Sequence, residues 1–194
     1  MIIIREAQPA DAGQIAPLIN LIFDEMQLEE LDDVPEPDLE KVITMAYRTR
    51  SYLSSDATTV VAEANGQVVG VAFGYPGENE ARVDEVLKRL SNKSAAFKHP
   101  FEAESETDGD EWYLDSIAVS PLFQGHGVGS QLLKALPAYA NRDGESVMGL
   151  IVDFDNPGAM KLYERAGFEV VGRRVIGDHQ YYHMQRGIKT PLFA

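Results

Sequence analysis

A nearly continuous apolar run that leads through a glycine-rich turn into a helical pattern constrains the fold of this chain more than any other stretch. "WYLDSIAV", residues 112–119, has the composition of a central strand covered on both faces. Gly125, Gly127 and Gly129 follow at alternate positions. A helical repeat then runs over about 127–141, carried by Val128, Leu132, Ala135, Leu136 and Tyr139. Strand, glycine loop and helix in this order indicate an α/β fold.

The rest of the chain also alternates between strand-like and helical segments. Asn65-Gly66 joins two β-branched runs and is the strongest short signal of a hairpin. Other strands are predicted at "IIIREA", "SVMGLIV" and the pair "EVVGRRVI" and "QYYHMQRG". Helices are predicted at "PADAGQIAPLINLIFDEM", at about 36–50, around Val83, Val86, Leu87 and Leu90, and at "NPGAMKLYERAGF". We predict one domain over residues 1–194, a mixed β-sheet flanked by helices.

Composition argues against several classes of protein. The longest apolar runs fall well short of the roughly 20 residues that span a membrane, and Arg5 interrupts the apolar N-terminus too early for a signal sequence. We therefore expect a cytoplasmic protein without membrane contact. The absence of cysteine excludes disulfides and a cysteine nucleophile. His179 and His183 are four apart, but in a strand that spacing does not converge on a metal, so no metal site is expected.

The formal charge of −14 is distributed unevenly along the chain. Residues 1–111 carry 23 acidic and nine basic side chains, whereas residues 112–194 carry eight of each. Two runs, 24–40 and 101–111, hold nine and six carboxylates. Such a surface repels phosphates, so nucleic acid is not expected as a partner. The acidic runs are either solvated faces or an attraction for a cation.

The glycine loop fits an anion site or simply a tightly packed turn. The first N–H groups of a helix lack internal partners and attract anions, and glycine lets a phosphate approach the backbone. A P-loop would end in Gly-Lys-Ser/Thr, and no lysine is present here. A dinucleotide fingerprint would have glycine where Ser130 stands, and too little chain follows Asp153 for the remaining strands of that fold.

Two motifs resemble those of the GNAT superfamily of N-acetyltransferases. "QGHGVG", residues 124–129, is similar to the Gln/Arg-x-x-Gly-x-Gly/Ala coenzyme A signature of that family. "NPGAMKLYERAGF", residues 156–168, resembles its Asn-x-x-Ala-x-x-Leu-Tyr-x-x-x-Gly-Phe element. In the second motif Asn156 is placed as a helix N-cap and Gly167 just past the last turn. The resemblance in element order extends over nearly the whole chain.

The resemblance implies acetyl-CoA as the cofactor and a particular set of binding residues. The pantetheine arm is expected along the strand edge at Ile117, Ala118 and Val119, with Asn156 and Tyr163 on its other side. The pyrophosphate is expected on the main-chain N–H groups of Gln124, Gly125, His126, Gly127, Val128, Gly129 and Ser130.

The chemistry of amine acetylation requires a base for the amine and a proton for the departing thiolate. Tyr163 is our candidate for the acid. Asp115 is our candidate for the base, because a carboxylate inside an apolar central strand is costly unless it is paired or used. Glu111, at the start of the strand, is the second candidate. Without a cysteine, direct transfer in a ternary complex is favoured over a covalent acyl-enzyme.

One departure from the family concerns residues 76–110, usually a brief turn and here long enough for a helix and an acidic loop. This insertion is expected to form a lid, a substrate wall or a contact in a homodimer. It belongs to an acceptor-side part, 1–111, that precedes a cofactor-binding core, 112–194. The favoured substrate is a small cationic amine. The alternatives are a protein lysine or N-terminus, and a non-catalytic acyl-CoA-binding module.

Overall fold

A seven-stranded mixed sheet forms the centre of the protein. The computed structural model describes residues 1–26, 28 and 31–188. The strand order is β1-β2-β3-β4-β5-β7-β6, and all neighbours are antiparallel except β4 and β5, which are parallel. The strands are β1 (Ile2–Glu6), β2 (Thr58–Ala64), β3 (Gln67–Pro76), β4 (Trp112–Val119), β5 (Val147–Asp153), β6 (Glu169–Ile176) and β7 (His179–Gly187).

Helices cover both faces of this sheet. Alternating side chains of the strands face two separate hydrophobic cores, as the period of two in a strand requires. Helices α1 (Ala12–Met26), α2 (Glu36–Ala46) and α3 (Glu80–Asn92) pack on one face, called here the acceptor face. Helices α4 (Val128–Arg142) and α5 (Pro157–Arg165) pack on the other. No helix within the described residues has the length and apolar character needed to cross a lipid bilayer.

The predicted elements are confirmed, with one difference in length. Asn65 adopts a positive φ of 52° in the turn between β2 and β3, and β4 is the central strand of the seven. The helix predicted over about 36–50 ends at Ala46, and a separate helical turn spans Ser51–Ser55. Thr49 accounts for the break, because its hydroxyl donates to the Ala46 carbonyl and its Oγ1 accepts from the Tyr52 N–H.

Helix α4 runs through Pro137, and another element satisfies the backbone there. A proline has no N–H for the carbonyl four residues earlier, which is that of Leu133. Arg186 of β7 donates to this carbonyl at 3.0 Å and to the Ala166 carbonyl at 2.7 Å. The guanidinium also stacks on the ring of Phe168. Arg186 thus ties both helices of this face to the sheet.

The sheet opens between β4 and β5. In the described residues the ladder between them consists of Trp112 with Met148 and Tyr113 with Gly149. Beyond these two pairs the strands separate, so the edge of β4 from Leu114 onward is free of β5. On its other side the pairing with β3 skips Asp115, which is the extra residue of a β-bulge. The opening, called here the β4–β5 gap, gives a ligand access to unpaired main-chain groups in the middle of the sheet.

Candidate functional site

The glycine loop lies at the mouth of the β4–β5 gap and is shaped by two left-handed residues. Gly125 and Gly127 have φ values of 73° and 77°, a region that side chains with a Cβ rarely adopt. Gly127 is the N-cap of α4 and has no side chain to satisfy the first N–H groups of that helix. A Cβ at either glycine would meet open space. The loop therefore presents unpartnered donors to a ligand that can approach closely.

The other residues of the predicted cradle contribute in different ways. Val128 is buried, so it can offer only its N–H, whereas Ser130 is exposed. Gly129 lies against Leu162, which a Cβ would touch at 3.4 Å. Gln124 donates from its side chain to the Val119 carbonyl at 3.2 Å, and the Gln124 carbonyl lies 2.8 Å from His126 Nδ1. These contacts join the loop to the end of β4, next to the Ile117–Val119 edge predicted to bind the cofactor arm.

Helix α5 brings the second motif to the other side of the gap. Asn156 caps this helix, because its Oδ1 accepts from the Ala159 N–H at 3.0 Å, as predicted. Its amide nitrogen stays available as a donor. Tyr163 is 8% exposed and packs edge-on against Phe168. Burial, and then the charge of Glu25, raise the pKa of Tyr163 to about 12, so the hydroxyl keeps its proton at neutral pH.

Asp115 lies on the acceptor face, where β4 leaves β5. The Ser116 hydroxyl donates to its Oδ1 at 2.6 Å and the Tyr75 hydroxyl to its Oδ2 at 3.1 Å. Burial raises the pKa of Asp115 in spite of these two bonds, and the charge of Glu80 raises it further. A carboxylate of this kind is a stronger base than an exposed one and is suited to accept a proton.

Two carboxyls that sequence reasoning missed as individual candidates stand near Asp115. Glu106, in the acidic loop, accepts from the Tyr113 hydroxyl at 2.7 Å. Burial and the charge of Asp115 raise its pKa to about 8. Asp84 of α3 has its pKa raised to about 7, by burial first and then by Asp115 and Glu80. We call Glu80, Asp84, Glu106 and Asp115 the carboxyl cluster. The acidic run 101–111 was the only sequence signal for Glu106, and nothing in the sequence singled out Asp84.

Hydrogen bonds and ion pairs hold the acidic loop of the insertion, residues 101–111, along its length. Glu80 accepts from the N–H groups of Glu106 and Thr107 at 2.6 and 3.2 Å, and Asp108 forms an ion pair with Arg174 of β6. Further contacts are Lys88 with Glu102, Ser91 with the Phe101 N–H, and Glu104 with the Gly177 N–H. Of the roles left open for the insertion, this arrangement favours a fixed wall on the acceptor face.

Glu111, the second candidate for the base, is buried and hydrogen-bonded. Its side chain is 0% exposed and lies against Gly149, whose missing Cβ leaves the room. Thr107, His183 and Gln185 contact its two oxygens at 2.7 to 3.1 Å. Burial raises its pKa, but these hydrogen bonds outweigh burial and the pKa is lowered overall. Glu111 thus connects the start of β4 with β7 and the acidic loop, and its role as a base stays a prediction.

His179 and His183 contact different acidic residues in the structure. His183 bonds to Glu111, whereas His179 lies 2.8 Å from Asp153 through its Nδ1. Within residues 1–26, 28 and 31–188, no three histidine or acidic side chains are grouped so as to hold a metal ion.

A model of the acetyltransferase (GNAT) family matches residues 22–168, most of the chain. The protein belongs to this family. The membership agrees with the strand opening, the glycine cradle and the capped helix described above. It confirms the predicted family, which is one of acetyltransferases, and the predicted fold class.

Solved structures and curated relatives agree with this assignment. A crystal structure of an acetyltransferase is 39% identical, with a TM-score of 0.83, and the match covers 96% of this chain and all of the other. The aminoglycoside acetyltransferase AAC(6′)-Ib, solved with coenzyme A and kanamycin, shares the fold at 19% identity and a TM-score of 0.62, with coverage of 96% and 95%. Mycothiol acetyltransferase of Brachybacterium faecium is 43% identical over 70 residues, which are 36% of this chain and 20% of that relative.

The matched stretches span a fifth and a quarter of the first two curated relatives. These relatives therefore leave the substrate of this chain open. The predicted cytoplasmic location and homodimer stay predictions.

Proposed function

We propose that the protein transfers the acetyl group of acetyl-CoA directly to the nitrogen of a small cationic amine. One observation carries the proposal: the β4–β5 gap joins an anion cradle at one end to the carboxyl cluster on the acceptor face. The cradle suits an anionic cofactor and the cluster suits a cationic substrate. Both reactants would then meet at the same opening in the sheet.

The fit of the cofactor rests on open space and free donors. Gly125 and Gly127 leave room for a pyrophosphate close to the first N–H groups of α4. The edge at Ile117, Ala118 and Val119 would pair with the amides of the pantetheine arm, once Gln124 releases the Val119 carbonyl. The amide nitrogen of Asn156 would hold the arm from α5. When bound, acetyl-CoA supplies the thioester that the amine attacks.

Asp115 and Tyr163 would act from opposite faces of the sheet. Asp115 would accept the proton that the ammonium must lose before the amine attacks. Glu106, whose pKa is about 8, could ionise beside Asp115. The Tyr163 hydroxyl, protonated at neutral pH, would donate to the leaving sulfur. No residue needs to form a covalent intermediate.

Thiol release from acetyl-CoA with a panel of cationic and neutral amines tests the function. We expect turnover with compact polyamines or aminoglycosides and little with neutral amines of similar shape. Asp115→Asn should lower kcat by about 100-fold or more and leave the melting temperature nearly unchanged. Glu111→Gln should instead lower the melting temperature. The reverse pattern would return the role of base to Glu111.

A protein lysine or N-terminus is the second candidate substrate. The fixed wall of the acidic loop on the acceptor face favours a compact amine over a polypeptide segment. Peptides bearing an N-terminal amine or a lysine belong in the same panel, and faster turnover of a peptide would reverse the order. The non-catalytic alternative finds no support, because the family is one of acetyltransferases.

A further inference from the structure

Asn20, in the middle of α1, carries a buried amide oxygen that has no donor. The residue is 4% exposed. Its Oδ1 is the one buried side-chain oxygen or nitrogen in the described part of the chain without a hydrogen-bond partner. An unpaired buried acceptor destabilises a fold, and a ligand that supplies a donor would remove this cost.

The helical repeat places Asn20 next to the side of α1 that packs on the sheet. Ala16 and Ile19 belong to the core against β3 and β4, together with Ala118 of β4. Residues of a helix are about 100° apart, so Asn20 lies beside Ala16 and opposite Leu18. Leu18 is also buried, and α1 packs on α2 as well as on the sheet. Asn20 and Leu18 thus lie on opposite flanks of the sheet-facing side of α1.

Phe23 follows Asn20 by three residues and lies on the same side of α1. Phe23 packs against Phe101 of the acidic loop, with ring centroids 5.6 Å apart. Glu25 lies near enough to α5 for its charge to raise the pKa of Tyr163. The end of α1 thus reaches from the acidic loop toward α5, across the β4–β5 gap. Asn20, one turn before Phe23, therefore lies on the side of α1 that faces the acidic loop.

An amine substrate needs the kind of group that Asn20 offers. A protonated primary amine has three N–H donors and no acceptor. The carboxyl cluster can meet some of them, but its members already repel one another. A neutral amide oxygen adds an acceptor without adding charge. The amides of the cofactor arm would form hydrogen bonds with the main chain of β4 and with Asn156. The Oδ1 of Asn20 is therefore not needed for the cofactor arm.

We propose that Asn20 is a specificity-determining residue, whose Oδ1 accepts a hydrogen bond from an N–H of the acceptor amine in the β4–β5 gap. This inference rests on the proposed function. It identifies α1, along with the acidic loop, as a part of the chain that selects substrates carrying an amine donor.

Asn20→Leu tests the inference, because leucine has nearly the shape of asparagine and no acceptor. The melting temperature should rise, since an apolar group replaces an unpaired buried oxygen. KM for spermidine, used as the probe, should increase about tenfold or more, as for a lost hydrogen bond to a charged group. The Kd of coenzyme A, measured by calorimetry, should not change. Asn20→Asp keeps Oδ1 and should bind spermidine at least as tightly as the wild type.

Asn92→Leu, at the exposed end of α3, is the matched control. It should alter neither the melting temperature nor the KM for spermidine. A lower melting temperature of Asn20→Leu with unchanged KM would make Asn20 structural and overturn the inference. Weaker coenzyme A binding would assign the oxygen to the acyl donor and also overturn it. If the wild type acetylates no amine, the proposed function fails. The inference is then decided by calorimetric binding of spermidine to the coenzyme A complex, and absence of that binding overturns it.

Discussion

Glu111 and Asp115 show how two carboxyls only four residues apart acquire different environments. Both are acidic residues next to apolar ones, and the sequence does not show which of the two has the higher pKa. Glu111 receives hydrogen bonds from three side chains and its pKa falls, whereas Asp115 receives two and its pKa rises. The donors His183 and Gln185 come from β7, more than 70 residues away. Tertiary contacts of this range decide the pKa and cannot be inferred from a single sequence.

Tyr163 carries the first prediction at the scale of the residue. We expect Tyr163→Phe to lower kcat by about 100- to 10,000-fold, the usual range for general acid catalysis, because the leaving sulfur loses its proton donor. The ring stays in the core beside Phe168, so the melting temperature and the Kd of coenzyme A should hardly change. Steady-state kinetics and calorimetry provide the measurements. Turnover within about twofold of the wild type would leave Tyr163 with a packing role only.

The glycine loop carries a prediction at the scale of the element. Gly127→Ala should weaken coenzyme A binding about tenfold or more, because the Cβ would project into the space that the phosphates need. The substitution should also destabilise the fold by about 1–2 kcal/mol, since alanine is strained at a φ of 77°. Calorimetric titration and thermal unfolding separate the two effects.

Gly144→Ala is the control for this strain. Gly144 follows the other end of α4, has a φ of 90° and also has open space around a Cβ. The Gly144→Ala variant should lose a similar amount of stability and should bind coenzyme A as tightly as the wild type. Equal affinities in the two variants would mean that the glycine loop is a turn without a role in cofactor binding.

Local signals predict the elements of this fold well, and non-local contacts limit what they predict. Asn65-Gly66 specifies its hairpin through turn geometry, and Asn156 with Gly167 bounds α5, because capping depends on adjacent residues. In contrast, the donor for the Leu133 carbonyl that Pro137 leaves unpaired is Arg186 of β7, which the sequence near α4 does not indicate. The sequence of the acidic loop is typical of a solvated run. In the structure, ion pairs and main-chain hydrogen bonds connect the loop to α3 and to the β6–β7 hairpin.

For the whole molecule, the carboxyl cluster predicts an unusual dependence of stability on pH. The folded protein holds protons on Glu106 and Asp84 up to pH about 8 and about 7, whereas the unfolded chain releases them near pH 4. The folded state therefore binds more protons between these limits, and its stability falls as the pH rises. We expect the melting temperature to be lower at pH 8.5 than at pH 5.5, by several degrees.

Glu106→Gln should reduce this slope, because its side chain no longer titrates. Carboxyls with lowered pKa values, such as Asp11 and Glu111, are ionised in both states throughout this window and leave the slope unchanged. Thermal unfolding of both proteins from pH 5.5 to 8.5 gives the comparison. A wild-type curve that is flat or rises with pH would show that the cluster does not hold its protons.

The division of charge along the chain leads to the last prediction. The whole excess of −14 lies before residue 112, in the part that supplies α1, α2 and α3 of the acceptor face, and residues 112–194 are balanced. Such a field should attract a cationic amine and raise its local concentration, and salt should screen it over roughly 10 Å at 0.1 M. We expect kcat/KM for spermidine to fall with ionic strength and that for a neutral amine to change little.

The variant for this test must alter charge without releasing the acidic loop. Glu102, Glu104, Glu106 and Asp108 all make contacts that hold the loop, so neutralising them would change structure and field together. Asp24→Asn, Asp32→Asn and Glu36→Gln, all exposed positions of the other acidic run, remove charge from the same face. The triple variant should flatten the salt dependence for spermidine and leave that for the neutral amine as it was. If spermidine and the neutral amine show the same slope in the wild type, the acidic runs are solvated faces, and shape and hydrogen bonds in the β4–β5 gap select the substrate.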